Sequence, residues 1–246
     1  MRPYLKTLLM LIWLPLMITV TTIPWLLKWE AGRRFCSMLA FKGLNRILGL
    51  RVHVQGTLSA KRPLMLVCNH SSYIDILALG NRLPVAFTPK KEIARWPVIG
   101  FCSKLAGCVF VERTPKAIAA TKGEIAKRLA TGRVMCIFAE GTTNNGTDLK
   151  PFKSSLFSLA EGTNIAIQPA ALHYSHRNGA PLDAQGRAKV AWYDDMSLLP
   201  HLWQLLRARR IDAQLQILPL LEQTGDRKAL CSASEVVIRQ ALEQKL

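Results

Sequence analysis

Several short segments place chemistry-bearing side chains where an apolar run stops. In LMLVCNHSSYIDILAL, the apolar stretch 64–68 runs into Asn69 and His70, and helical spacing begins near Ser72. His70 and Asp75 lie five residues apart across that turn. This spacing lets a carboxylate accept a hydrogen bond from one imidazole nitrogen and leaves the other free as a base. The pair is the histidine–aspartate half of a hydrolase triad, but no nucleophile accompanies it. Ser71 and Ser72 are not in G-x-S-x-G, and Ser72 reads as a helix N-cap. A base without an enzyme nucleophile points to direct activation of a substrate hydroxyl. A hydrolase with an unidentified serine and a purely structural turn histidine are the competing readings.

Three further segments share the pattern. GCVFVERT (107–114) ends in Glu112 and Arg113 ahead of Pro115, which puts Arg113 at a strand end, either facing an anion or in a surface ion pair with Glu112. FAEGTTNNGTDLKPFKSSLF (138–157) gathers Glu140, Gly141, Thr142, Thr143 and two asparagines after another apolar run. Glycine, threonine and asparagine after a buried strand suit a cradle of backbone N–H groups around an anion, although a carboxylate is an odd wall for a phosphate. NIAIQPAAL (164–172) carries Pro169 inside an apolar strand, where proline indicates a bulge or an edge.

The elements that must hold these segments alternate between short apolar runs and helical spacing, the signature of an α/β fold. Strands are expected at 51–55, 64–68, 84–88, 108–111, 133–138, 165–172, 188–193 and 213–219, and helices at 72–80, 91–105, 116–131, 152–161, 198–210 and 232–244. The stretch 175–187 reads as a polar loop. At 246 residues the chain suits one full-sized domain, 51–246, with an appended segment, 1–50.

That appended segment is apolar. Residues 7–27 run 21 positions without a charge, long enough to cross a bilayer, with Pro15 and Pro24 inside and cations on both flanks. A spanning helix and a bent hairpin in one leaflet both fit. No small-x-small cleavage site follows, so a retained membrane anchor is expected. Residues 35–50 continue as a helix with Lys42 and Arg46 on one face, either lying at the membrane or packed as an ordinary core helix.

Lys and Arg total 33 against 16 acids, a formal charge of +17 that calls for an anionic partner: nucleic acid, anionic lipid or an acidic carrier protein. Sparse aromatics, dispersed cations and the long apolar run argue against nucleic acid. Six cysteines without CxxC or zinc-finger spacing read as reduced and buried, which points to a cytoplasmic domain without a metal site.

Taken in order, NHSSYID, VFVERT, FAEGTT and IQPAAL resemble the four blocks of the glycerolipid acyltransferases, the lysophosphatidate-acyltransferase-like family, over residues of roughly 50 to 220. The resemblance implies a mixed, mostly parallel sheet flanked by helices, behind an N-terminal helical membrane anchor at the cytoplasmic (inner) membrane. It implies acyl transfer from acyl carrier protein or coenzyme A to a lysolipid hydroxyl, with no cofactor. By the same resemblance His70 would take the hydroxyl proton and Asp75 would hold the imidazole. Asn69, Arg113, Glu140, Gly141, Thr142, Thr143 and Pro169 would then line the substrate, and by geometry the backbone N–H groups of the Gly141–Thr142 turn are candidates for the oxyanion. Members acting on lysophosphatidate usually read E-G-T-R, whereas this chain has Thr143 in place of the arginine. The longer pattern E-G-T-T-x-x-G…P-F-K-S-S-L-F, with WYDDMSLLPHLW at 192–203, is similar to the branch that acylates lyso-ornithine lipids. Lysophosphatidate is the alternative acceptor. In the first reading Glu140 either lies beside the acceptor's polar group or fixes its own loop by accepting N–H groups.

Overall fold

In a computed structural model of the chain, residues 2–112, 115–222 and 226–244 are described, with backbone alone for 115–120. The order opens with helices α1 (Pro3–Leu26) and α2 (Glu30–Leu48), then β1 (Leu50–Gln55), β2 (Leu64–Cys68), α3 (Ile74–Arg82) and β3 (Val85–Phe87). It continues through α4 (Ile99–Leu105), α5 (Pro115–Ala130), β4 (Val134–Phe138), β5 (Ala166–Arg177), β6 (Ala180–Pro181), α6 (Ala184–Ala188), α7 (Leu198–Arg207), β7 (Ile211–Ile217) and α8 (Arg227–Glu243).

The sheet runs β1-β7-β5-β2-β4-β3, with β6 paired to β5. β2 pairs parallel with β4 and β5, β3 parallel with β4, and β1 parallel with β7; the β5–β7 and β5–β6 pairs are antiparallel. Every residue of β2 and β4 is buried, as continuous apolar runs covered on both faces require. Leu64, Leu66 and Cys68 pack with α3 and α7, whereas Met65 and Val67 pack with α5 and α8. Because β2, β3 and β4 are parallel, the turns that follow them leave the same edge of the sheet, the edge at which α/β folds bind ligands.

The two leading helices form a hairpin docked on this body. Lys6, 1% exposed, donates to the carbonyls of Leu48 (2.8 Å) and Ala208 (2.6 Å), so one ammonium caps the ends of both α2 and α7. Asn45 ties α2 to α3 through the Leu77 carbonyl, and Gly49 in the left-handed conformation (φ 79°) ends α2. Pro15 and Pro24 both lie inside α1, which is continuous from Pro3 to Leu26, and the turn to α2 comes at 27–29.

Several sequence expectations need correction. The run 108–111 forms only an isolated bridge, Lys90 to Val111; Val109 and Val111 donate to Phe87 and Pro89, and Pro89 has no N–H with which to continue a ladder. Residues 188–193 are the end of α6 and a loop; their apolar alternation reflects Val190 and Ala191 plugging the core, with Trp192 bonded to the Ser71 carbonyl. Pro97 splits the expected helix 91–105 into a 3-10 turn (Lys91–Arg95) and α4, and 152–161 is likewise a 3-10 turn (Ser154–Leu159). The polar stretch 175–187 holds a hairpin: Asn178 (φ 56°) and Gly179 (φ 92°) turn β5 into β6, as Asn-Gly pairs favour.

Pro169 is neither at an edge nor at a bulge. β5 is interior between β2 and β7, and its register irregularity lies between Tyr174 and His176. Proline is tolerated because the β7 ladder ends there at Ile217. Leu218 still donates to the Pro169 carbonyl, and the Gln168 side chain supplies the Leu218 carbonyl with the donor that Pro169 lacks.

Candidate active site

His70 leaves the end of β2 and Asp75 lies in the first turn of α3, and the turn between them closes on the aspartate. Asp75 Oδ2 accepts from the backbone N–H groups of Ser71 (2.8 Å) and Ser72 (2.9 Å) and from His70 Nδ1 (2.8 Å). An ionised carboxylate only accepts, so Nδ1 carries the proton and Nε2 keeps its lone pair. The His70 side chain is 14% exposed while Asp75 is 1% exposed, which leaves the free nitrogen toward the opening. The imidazole stacks on Phe138 (3.9 Å, 9°), which stacks in turn on Phe87. The ring is therefore fixed on one face by packing and at one nitrogen by charge.

Asp75 has another donor that the sequence reading missed. Tyr174, buried on β5, donates its hydroxyl to Asp75 Oδ1. Burial and the neighbouring Asp75 charge push the phenol well above its ordinary range, so it stays protonated and remains a donor. The register Cys68↔Ala170 carries β5 past the end of β2, and Tyr174 falls opposite the His70–Asp75 turn. The sequence expectation ended that strand at 172; two more residues on the same alternation would have reached the tyrosine.

Ser72 is not the helix N-cap. Helix α3 begins at Ile74, Asp75 performs the capping on both serine N–H groups, and the Ser72 hydroxyl is buried without a hydrogen-bond partner among the described residues.

Asn69, 5% exposed, is spent on the sheet. Its amide donates to the Leu172 carbonyl and accepts from the Leu172 N–H, both at 2.8 Å, which extends the β2–β5 pairing by one side chain. Pro169 sits one step inside that pairing, opposite Val67.

Glu140 is 1% exposed, and its oxygens accept from His70 N (2.7 Å), Asn144 Nδ2 (2.7 Å) and Lys150 N (2.9 Å). Burial raises its pKa against those hydrogen bonds. Of the two roles the sequence left open, fixing the loop is the one these bonds perform. The clasp is reciprocal, since Asn144 N donates to the His70 carbonyl at 2.9 Å.

Gly141 (φ 75°) donates to Phe138 O at 3.1 Å, so its N–H is not free for an oxyanion. The Thr142 N–H forms no hydrogen bond among the described residues and remains the candidate of that turn. A β-carbon at Gly141 would come within 3.1 Å of Lys153 Nζ, so a lysine covers this glycine. Thr143 is 9% exposed, and its carbonyl accepts from Lys150 Nζ at 2.9 Å. Replacing arginine by Thr143 thus does not leave the loop uncharged, because two lysines from the following segment lie over it. Arg113 lies outside the described residues.

A family model described as Acyltransferase matches residues 49–173. The chain belongs to the acyltransferase family. It is 36% identical to a lyso-ornithine lipid O-acyltransferase from Brucella abortus over 82% of this chain and 79% of that one. It is 29% identical to a 1-acyl-sn-glycerol-3-phosphate acyltransferase from Neisseria gonorrhoeae over 71% and 68%. In fold it is similar to the crystal structure of the 1-acyl-sn-glycerophosphate acyltransferase of Thermotoga maritima (TM-score 0.65, 16% identity, 99% and 98% of the two chains).

In an acyltransferase, the tyrosine behind the aspartate is testable. Tyr174→Phe leaves a buried carboxylate oxygen without its hydroxyl donor and is expected to cost about 1–3 kcal/mol of stability. It is also expected to lower kcat about tenfold, since Asp75 then holds the His70 imidazole less firmly. Thermal melting and steady-state kinetics check both, and unchanged values for both would show that Asp75 is held without it.

Proposed function

We propose that the chain is a membrane-associated O-acyltransferase that moves a fatty acyl group from a thioester onto the free hydroxyl of a lysolipid, with lyso-ornithine lipid as the acceptor. The observation that carries this reading is a His70–Asp75 pair with no accessible serine on its turn: Ser71 is 3% and Ser72 0% exposed. The substrate hydroxyl is then the nucleophile. His70 Nε2 takes its proton as the oxygen attacks the thioester carbonyl, the tetrahedral oxyanion meets the Thr142 N–H, the C–S bond breaks, and the proton on Nε2 passes to the leaving thiolate. Holding both lipids in one site supplies much of the rate.

The names of the relatives favour the lyso-ornithine acceptor. Lys150 and Lys153 are point charges rather than a planar fork, and such charges serve a carboxylate as well as a phosphate. The donor is acyl carrier protein or coenzyme A; a chain of charge +17 suits an acidic carrier and an anionic leaflet alike. The docking of α1 along the catalytic body supports a hairpin seated in one leaflet rather than a helix crossing alone, and six free cysteines fit a domain facing the cytoplasm.

The test is an assay matrix of lyso-ornithine lipid and lysophosphatidate against acyl carrier protein and coenzyme A thioesters. Efficient acylation of lysophosphatidate with lyso-ornithine lipid untouched would overturn the acceptor, and fatty acid release without any acceptor would overturn transfer itself. Thr143→Arg adds a fork for phosphate and is expected to raise kcat/KM for lysophosphatidate about tenfold, without a matching rise for lyso-ornithine lipid.

A further inference from the structure

Pro97 and Val98 make an unusual corner between the 3-10 turn that follows β3 and helix α4. Val98 has φ 61° and ψ −61°, and Ile99 N donates to the Pro97 carbonyl at 2.6 Å, so Val98 is the centre of a γ-turn. A β-branched residue at positive φ is strained, and strain of this kind persists only where the surrounding structure holds it. Here it does not bury the side chain. Trp96 (38%), Val98 (45%), Ile99 (41%) and Phe101 (42%) all stand exposed around the turn. Gly100 lets the tip fold back, because a β-carbon there would meet the Ala94 carbonyl at 2.6 Å.

The surroundings say what this tip meets. The segment that carries the tip starts at Phe87, whose ring stacks on Phe138 beside His70, so it sets out from the edge of the sheet that holds the base. Its helix α4 packs against α1, where Leu14, Met17 and Ile18 line one apolar cleft with Cys102 and Leu105. Arg33 of α2 donates to the α4 carbonyls of Lys104 and Leu105. The exposed apolar side chains of α1 and α2, among them Leu16, Ile23, Trp25 and Phe35, therefore belong to helices that adjoin α4 directly. Lys90, Arg95 and Lys104 are exposed around the tip, and Lys91 pairs with Glu112; Glu92 is the other acid there. Apolar side chains ringed by cations match an anionic lipid surface.

We infer that residues 95–101 form a second membrane-inserting wedge, supplied by the catalytic domain, that enters an anionic bilayer beside the active site and lets lysolipid reach His70 without leaving the lipid phase. The wedge rests on the reading of α1 and α2 as membrane-seated, and it adds a contact that those helices do not provide. The full-length double variant Trp96→Asp, Phe101→Asp tests it with vesicles containing phosphatidylglycerol. Flotation reports on α1 and α2. Acylation of a long-chain lysolipid in the vesicles, against a short-chain lysolipid kept below its micellar concentration, reports on the wedge. The expected result is retained flotation, a loss of tenfold or more on the vesicle substrate, and less than a twofold change on the soluble one. Brominated lipids are also expected to quench wild-type tryptophan emission more than that of Trp96→Phe. Equal loss on both substrates, or loss on neither, overturns the wedge while leaving the membrane-seated hairpin standing. Failure of the wild type to float with vesicles overturns both.

Discussion

His70→Ala is expected to lower kcat for lysolipid acylation by roughly 10²–10⁴-fold, the range of a positioned general base, with KM little changed. Asp75→Asn is expected to fall in the same range for a different reason. The amide presents one acceptor and one donor where the carboxylate now serves the N–H groups of Ser71 and Ser72, the Tyr174 hydroxyl and the imidazole. If its nitrogen faces His70, the ring must move its proton to Nε2 and can no longer accept one from the substrate. If its oxygen faces His70, the nitrogen meets the Tyr174 hydroxyl, which must then turn away. Either arrangement spoils the tautomer or the orientation that the base requires. Steady-state kinetics on the membrane-bound enzyme decide this, with hydrolysis of the thioester in the absence of acceptor followed in parallel. Near-wild-type turnover in His70→Ala would remove His70 as the base and with it the proposed chemistry.

The parts of the site legible in the sequence were those carried by one local segment. The His70–Asp75 hydrogen bond spans a single turn, and the five-residue spacing allowed for it. The parts that stayed hidden depend on strands distant in the chain. Tyr174 reaches Asp75 only through the β2–β5 register, and Lys6 caps Ala208 across nearly the whole sequence. Glu140 lay between, since its residue type was conspicuous but its partner, the His70 N–H, comes from a parallel neighbour. The fold shows the same division. The central strands β2 and β4 were readable as continuous apolar runs, whereas 108–111 and 188–193 were apolar for packing rather than for pairing. Pro169 misled because its compensation lies in the Gln168 side chain, which no periodicity reveals.

Glu140→Ala is expected to be the most destabilising single change at the site. It deprives His70 N, Asn144 Nδ2 and Lys150 N of their shared acceptor at a position 1% exposed. Unsatisfied buried donors cost about 1–3 kcal/mol each, so a total near 3–5 kcal/mol and a fall in Tm of about 10 °C are expected. Activity should fall as well, because the turn holding His70 loses its clasp to the β4 loop. Glu140→Gln is less conservative than its shape suggests, since its amide nitrogen must point at one of the same N–H donors. The pH dependence gives an independent reading. Burial raises the Glu140 pKa, so in the window above the ordinary glutamate range the native state holds more protons than the unfolded state. This group's contribution is therefore present at low pH and is lost as pH rises through the folded value. Glu140→Gln should flatten that part of the stability profile while lowering Tm at neutral pH. A carboxylate that contacted the acceptor's ammonium would behave otherwise: its glutamine variant would keep the wild-type Tm and raise KM for lyso-ornithine lipid alone. Melting curves across pH, set beside KM for both acceptors, separate a loop clasp from a substrate ligand.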